Sequence, residues 1–136
     1  MTEWRLQDVA DRYPHGALEV SVRDEAGLRE VLWGFAAKEP RVVTVGVWDC
    51  DALQIGIGGE WGFVQHVVCE PWKAQIAIPR KDRTEGQKPE SVTFLLGGAV
   101  SEIEAEFLMP VAEVIQLVLE CYREGKLPPS VEWELW

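Results

Sequence analysis

From Arg41 to Phe107 apolar residues recur at every second position in one short run after another, and most links between the runs are too short to hold a crossover. Parallel neighbours need a connection of a dozen or more residues, so consecutive runs must pair antiparallel. Arg41 to Trp48 (RVVTVGVW) is rich in β-branched residues, as a half-buried strand should be. After a turn at Asp49-Cys50-Asp51, Leu53, Ile55 and Ile57 alternate with Gln54, Gly56 and Gly58. Gly58-Gly59 then supplies the positive φ of a tight hairpin, with Trp61 to Val68 (WGFVQHVV) returning. Trp72 to Ile78 (WKAQIAI) is the next strand, and Pro79 to Pro89, which has no periodicity, reads as an exposed loop. Val92, Phe94 and Leu96 begin another strand. After Gly97-Gly98 the clearest one spans Glu102 to Phe107, with Glu102, Glu104 and Glu106 on one face and apolar groups on the other.

Two segments carry the helical period instead. Asp24 offers an N-cap ahead of Leu28, Val31, Leu32 and Phe35, one face of a helix that Pro40 ends. Pro110 opens a second stripe, Val111, Val114, Ile115, Val118 and Tyr122, closed by Gly125 and by Pro128-Pro129. Ala17 to Val22 and Val131 to Trp136 alternate as flanking strands, the latter with Val131, Trp133 and Leu135 on one face, while the first sixteen residues are poorly patterned. The expected architecture is α+β: an antiparallel sheet of about five to seven strands with two helices packed on one face. A chain of 136 residues, 47% hydrophobic, buries about 68% of its unfolded surface, enough for one core, so residues 1–136 are read as a single domain.

Charge narrows the class of partner. Thirteen Lys and Arg face 23 Asp and Glu, a formal net charge of -10, which opposes binding to a phosphate backbone and suits a basic protein surface. Nucleic acid is therefore not expected as a direct partner. No apolar leader core follows Met1, and the longest apolar-rich run, Val42 to Trp48, is far short of the ~18 residues of a membrane span. Cys50, Cys69 and Cys121 are odd in number and form no C-x-x-C pair, as befits reduced, buried thiols. The expectation is a cytoplasmic protein with no membrane partner.

Signals for chemistry are weak. Ile55 to Gly62 (IGIGGEWG) has the glycine content of a phosphate loop but is followed by a strand where that loop needs a helix, so it is read as a hairpin. His66 and Cys69 are three residues apart, yet neither they nor His15, Cys50 and Cys121 have zinc-ligand spacing. Neither Ser91 nor Ser101 sits in a nucleophile elbow. No catalytic residue, metal or cofactor is assigned. A small-molecule-binding domain and a non-catalytic scaffold subunit stay open as alternatives.

The unusual features are acid and tryptophan near the C-terminus. From Ser101 onward Glu102, Glu104, Glu106, Glu113, Glu120, Glu124, Glu132 and Glu134 face only Arg123 and Lys126. Of the seven tryptophans, Trp33, Trp48 and Trp133 are read as core, whereas Trp61, beside the hairpin turn, and Trp136 are candidate exposed anchors of the kind found at binding hot spots.

From Ala52 onward the order of signals resembles the first-named immunity-protein family of bacterial polymorphic toxin systems. The matching points are LQIGIGG, FLLGG (Phe94 to Gly98), Ser101-Glu102, Pro110-Val111, and the closing set Gly125, Pro128, Val131 and Trp133. The stretches SEIEAEFLMPV and GKLPPSVEW are the most specific, and coverage is about the C-terminal two thirds of the chain, with no family meaning assigned to the basic insertion Arg80 to Lys88. The resemblance implies a cytoplasmic antidote that binds and blocks a cognate secreted toxin domain, often a deaminase. Glu102, Glu104, Glu106, Trp61, Glu132, Glu134 and Trp136 are then the expected contacts with a basic toxin surface.

Overall fold

The computed structural model describes residues 4–8, 19–46, 51–69, 72–78, 89–96, 99–129 and 131–135. Residues 47–50, which include Trp48 and most of the expected turn, 79–88, which include the basic insertion, and Gly97, Gly98 and Trp136 lie outside them.

Asp24 caps the first helix as expected: its Oδ1 accepts from the Gly27 N–H at 2.7 Å, and α1 runs Glu25–Ala36. Leu28, Leu32 and Phe35 form its buried stripe. The second helix, α2 (Val111–Glu124), starts after Pro110 and stops at Gly125, whose φ of 71° no β-carbon-bearing residue adopts readily. Both helices contribute to one apolar cluster on the same side of the sheet. Arg123, in the last turn of α2, donates from Nε and Nη2 to both carboxylate oxygens of Glu25 at the start of α1, at 3.0 and 3.1 Å. That hydrogen bond first, and the guanidinium charge with it, holds the Glu25 carboxyl below its ordinary value.

Among the described residues ten strands make up the sheet and its branches, more than the expected five to seven. They are β1 (Trp4–Asp8), β2 (Glu19–Val22), β3 (Arg41–Gly46), β4 (Asp51–Ile57), β5 (Trp61–Cys69), β6 (Trp72–Ile78), β7 (Ser91–Leu96), β8 (Ala99–Glu104), β9 (Met109–Pro110) and β10 (Glu132–Leu135). The main path runs β10-β6-β5-β4-β3-β1-β2, antiparallel throughout. β1 escaped sequence reading because two apolar residues, Trp4 and Leu6, make too short a period; its pairing with both β2 and β3 defines it. The two-residue β9 is set by pairing with Trp61 and Gly62.

β7 and β8 form a hairpin that leaves the main path. β7 touches β3 through one parallel pair, Arg41 with Leu95, where the Leu95 N–H donates to the Pro40 carbonyl at 3.1 Å. The expectation of purely antiparallel pairing fails there because β4, β5 and β6 intervene, so the connection is long. The hairpin packs over the sheet face opposite the helices, burying Phe94 and Ile103 with Val42, Phe63, Ile76, Phe107 and Leu108 in a second cluster. The result is three layers: two helices, the seven strands of the main path with β9 paired to β5, and a two-strand flap.

The strand expected over Glu102 to Phe107 ends at Glu104 and turns into a short 3-10 segment, Ala105–Phe107. Phe107, Leu108 and Met109 are three consecutive buried residues, which an alternating strand cannot provide. The turn, closed by Leu108 N–H to the Ala105 carbonyl at 3.1 Å, places Phe107 and Leu108 in the flap cluster and Met109 in the helix cluster. Glu106 consequently leaves the row formed by Glu102 and Glu104.

Candidate partner-binding surface

The glycine-rich hairpin is structural. Gly58 has φ 109°, and a Cβ there would stand 2.5 Å from the Glu39 carbonyl oxygen; Gly59 has φ 75°. The Gly59 N–H donates to the Ala36 carbonyl at the end of α1 (3.2 Å), and the Glu60 carbonyl accepts from the Val111 N–H at the start of α2 (3.0 Å). The turn thus ties the two helix ends together, and its Gly59 amide is committed to α1. Gly56 serves packing: a Cβ there would run into the Phe63 ring, which stands edge-on to Phe94 with centroids 5.1 Å apart.

No chemistry-bearing cluster assembles elsewhere among the described residues. None of their His, Cys, Asp and Glu side chains gather in a group fit to hold a metal ion. His66 is buried at 7% exposure. Cys121 is buried in α2, and desolvation, reinforced by the neighbouring Glu120 charge, pushes its thiol up to about 12. Cys50 and the side chain of Cys69 lie outside the described residues.

Carboxylates occur on both sides of the sheet: Glu25, Glu30, Glu113, Glu120 and Glu124 lie on the helices, and a second group lies on the flap side. Cross-strand partners share a sheet face, so Ile103 points inward with Val92, while Glu102 opposite Thr93 and Glu104 opposite Ser91 point away from the core. Both are exposed, as is Glu106 on the 3-10 segment. That segment packs against β6, and β10 pairs with the same strand. There Glu134 lies opposite Ile76 and Glu132 opposite Ile78, both flap-side residues, whereas Trp133 lies opposite Ala77 on the helix side. Glu102, Glu104, Glu106, Glu132 and Glu134 are therefore all on the side of the sheet away from the helices, and all exposed.

The tryptophans divide differently from expectation. Trp61, expected to be exposed, is half-buried and packs against the flap cluster. Trp133 packs against the helix cluster and its indole N–H donates to the Pro128 carbonyl at 3.1 Å. Trp33, read as core, is instead 46% exposed, because α1 turns only Leu28, Leu32 and Phe35 fully inward. Leu135, read on one face with Trp133, is 65% exposed at the end of β10, which among the described residues pairs with β6 alone. The sequence missed the exposed apolar end of the flap, Leu96 and Val100, because period-two alternation marks a face without saying what covers it.

Residues 34–135 match the family described as Immunity protein Imm1. This chain belongs to the Imm1 immunity-protein family. The match begins inside α1, further back than the resemblance from Ala52, and takes in every strand from β3 to β10. The Imm1 region therefore holds the flap, the glycine-rich turn, α2 and all five flap-side carboxylates, whereas β1 and β2 lie outside it. No curated protein matches the chain. No helix among the described residues of this Imm1 protein is long and apolar enough to cross a membrane.

Proposed function

We propose that this immunity protein binds and inhibits a cognate secreted toxin domain that acts on nucleic acid, a deaminase being the class the family resemblance favours. Binding uses the acidic flap side and takes place in the cytoplasm. The observation that carries this reading is the gathering of Glu102, Glu104, Glu106, Glu132 and Glu134 on one side of a chain whose net charge is -10. An enzyme that handles nucleic acid needs a cationic cleft, and an acidic surface competes for that cleft while electrostatic steering speeds encounter. Trp61 and Trp136 are the candidate aromatic anchors, and the inhibitor performs no catalysis of its own.

The test begins with a tagged pull-down at high salt from the native bacterium and growth rescue from any toxin domain recovered. One stoichiometric toxin domain whose lethality the chain suppresses is the expected outcome; a chain that returns alone, with no toxic neighbouring reading frame, sinks the proposal. With that domain in hand, Glu102→Lys, Glu104→Lys and Glu106→Lys combined should lower the association rate about tenfold or more and flatten its salt dependence. An unchanged rate and salt slope would remove this surface from the interface.

A further inference from the structure

Among the described residues the flap ends in a strand with a single neighbour. Among the described residues β8 pairs with β7 alone, along the full length of both. In an antiparallel ladder each residue turns its N–H and C=O either to the partner or away from it, so every second residue of Ala99–Glu104 offers a donor and an acceptor at the open edge. Proteins ordinarily blunt such an edge with charge, proline or a bulge. Here Glu102 and Glu104 blunt one half only. The next residue on their face, Val100, is 67% exposed and Leu95 opposite it is half-buried, while Leu96, on the other face opposite Ala99, is 38% exposed. An edge built only to repel other strands would not keep an apolar end next to free backbone groups.

We infer that the free edge of β8 is the docking strand for the toxin domain, which adds an extended segment carrying apolar, cationic and cationic side chains opposite Val100, Glu102 and Glu104. This rests on the functional reading above and deepens it by naming the chemistry of the partner segment. Residues two apart on a strand are about 6.8 Å apart and a paired strand lies about 4.8 Å away. A Lys or Arg at alternate positions therefore faces each carboxylate directly, and an apolar residue two further on covers Val100. Main-chain hydrogen bonds provide the binding and the alternating side chains provide the selectivity. Charge complementarity selects this occupant: a second copy of the chain would bring Glu102 and Glu104 against an acidic strand of its own kind.

The experiment uses the full chain and the toxin domain recovered by the pull-down. Amide hydrogen exchange is followed residue by residue, free and bound. Alternate amides within Ala99–Glu104 are expected to slow at least about tenfold in the complex as they gain partners. Val100→Lys should weaken binding about tenfold by placing like charge against the cationic segment. Val100→Thr, which keeps strand propensity, should preserve the alternating protection. A complex that forms while β8 exchange stays unchanged overturns the docking strand and leaves the immunity reading intact. The absence of any complex overturns both.

Discussion

Phe94→Ala is the sharpest probe of the flap. Phe94 is fully buried and stands edge-on to Phe63, with centroids 5.1 Å apart and planes at 80°. Among the described residues it is the one fully buried side chain that the β7–β8 hairpin contributes, since Ile103 retains 8% exposure. Truncating a buried Phe to Ala costs about 3–5 kcal/mol, from lost transfer energy and the cavity left behind. Of that, about 0.5–1.5 kcal/mol belongs to the ring-on-ring geometry. A domain of this size is stable by about 5–15 kcal/mol, so the variant should still fold, with a midpoint lower by roughly 10–18 °C. Urea unfolding gives the free energy; an unchanged m value would show that the two end states are preserved. Exchange should then accelerate first in the amides of β7 and β8. A Phe63→Leu, Phe94→Leu double-mutant cycle isolates the pair term. If Phe94→Ala costs less than about 1 kcal/mol, the flap is not held by this contact and the three-layer account is wrong.

Three other outcomes are expected. Gly58→Ala should destabilise by about 1–3 kcal/mol in urea unfolding, since it combines left-handed strain with contact to the Glu39 and Lys38 carbonyls; a neutral result would contradict the turn geometry. Glu25→Gln removes a carboxyl held below 4.5 in the folded state. The stability it contributes is fully present above the unfolded value and is lost as pH falls through the lower folded one. The melting-temperature gap between the parent and the variant should therefore be open at neutral pH and close below 4.5; a gap constant across that range would disprove the ion pair's role. Cys121, buried and raised to about 12, should resist alkylation at pH 8 in the native protein and react fully in urea, as read by peptide mass spectrometry. Native-state labelling would show that the α2 core opens.

The hydrophobic periods sufficed for α1, α2, the α+β class and most of the strands of the central path, because each of those elements buries one face and its sequence must repeat at the corresponding spacing. Local chemistry also fixed their ends: Asp24, the glycine pair at the hairpin and Gly125 act on their own immediate backbone, so their meaning is contained in a few residues. β1 shows the limit of this logic. Trp4 and Leu6 are deeply buried, yet a run of five residues holds too little period, and strand identity there comes from two neighbours distant in sequence.

The candidate surface divides along the same line. Five carboxylates and their excess near the C-terminus could be counted from residues alone, since charge is a property of composition. Their convergence depends on pairing: Glu132 and Glu134 join the flap side because β10 registers against Ile78 and Ile76, and Glu106 joins through a 3-10 segment rather than the expected strand. Alternation says that two faces differ, but not which layer covers each one. That is why Trp33 emerged exposed, Trp61 half-buried and Val100 at an open edge. Local periodicity accounts for most of the elements, and composition for an overall charge that favours a basic partner. Which acidic residues share the flap side, and which strand has a single neighbour among the described residues, follow from contacts between segments whose separation along the chain leaves no periodic trace.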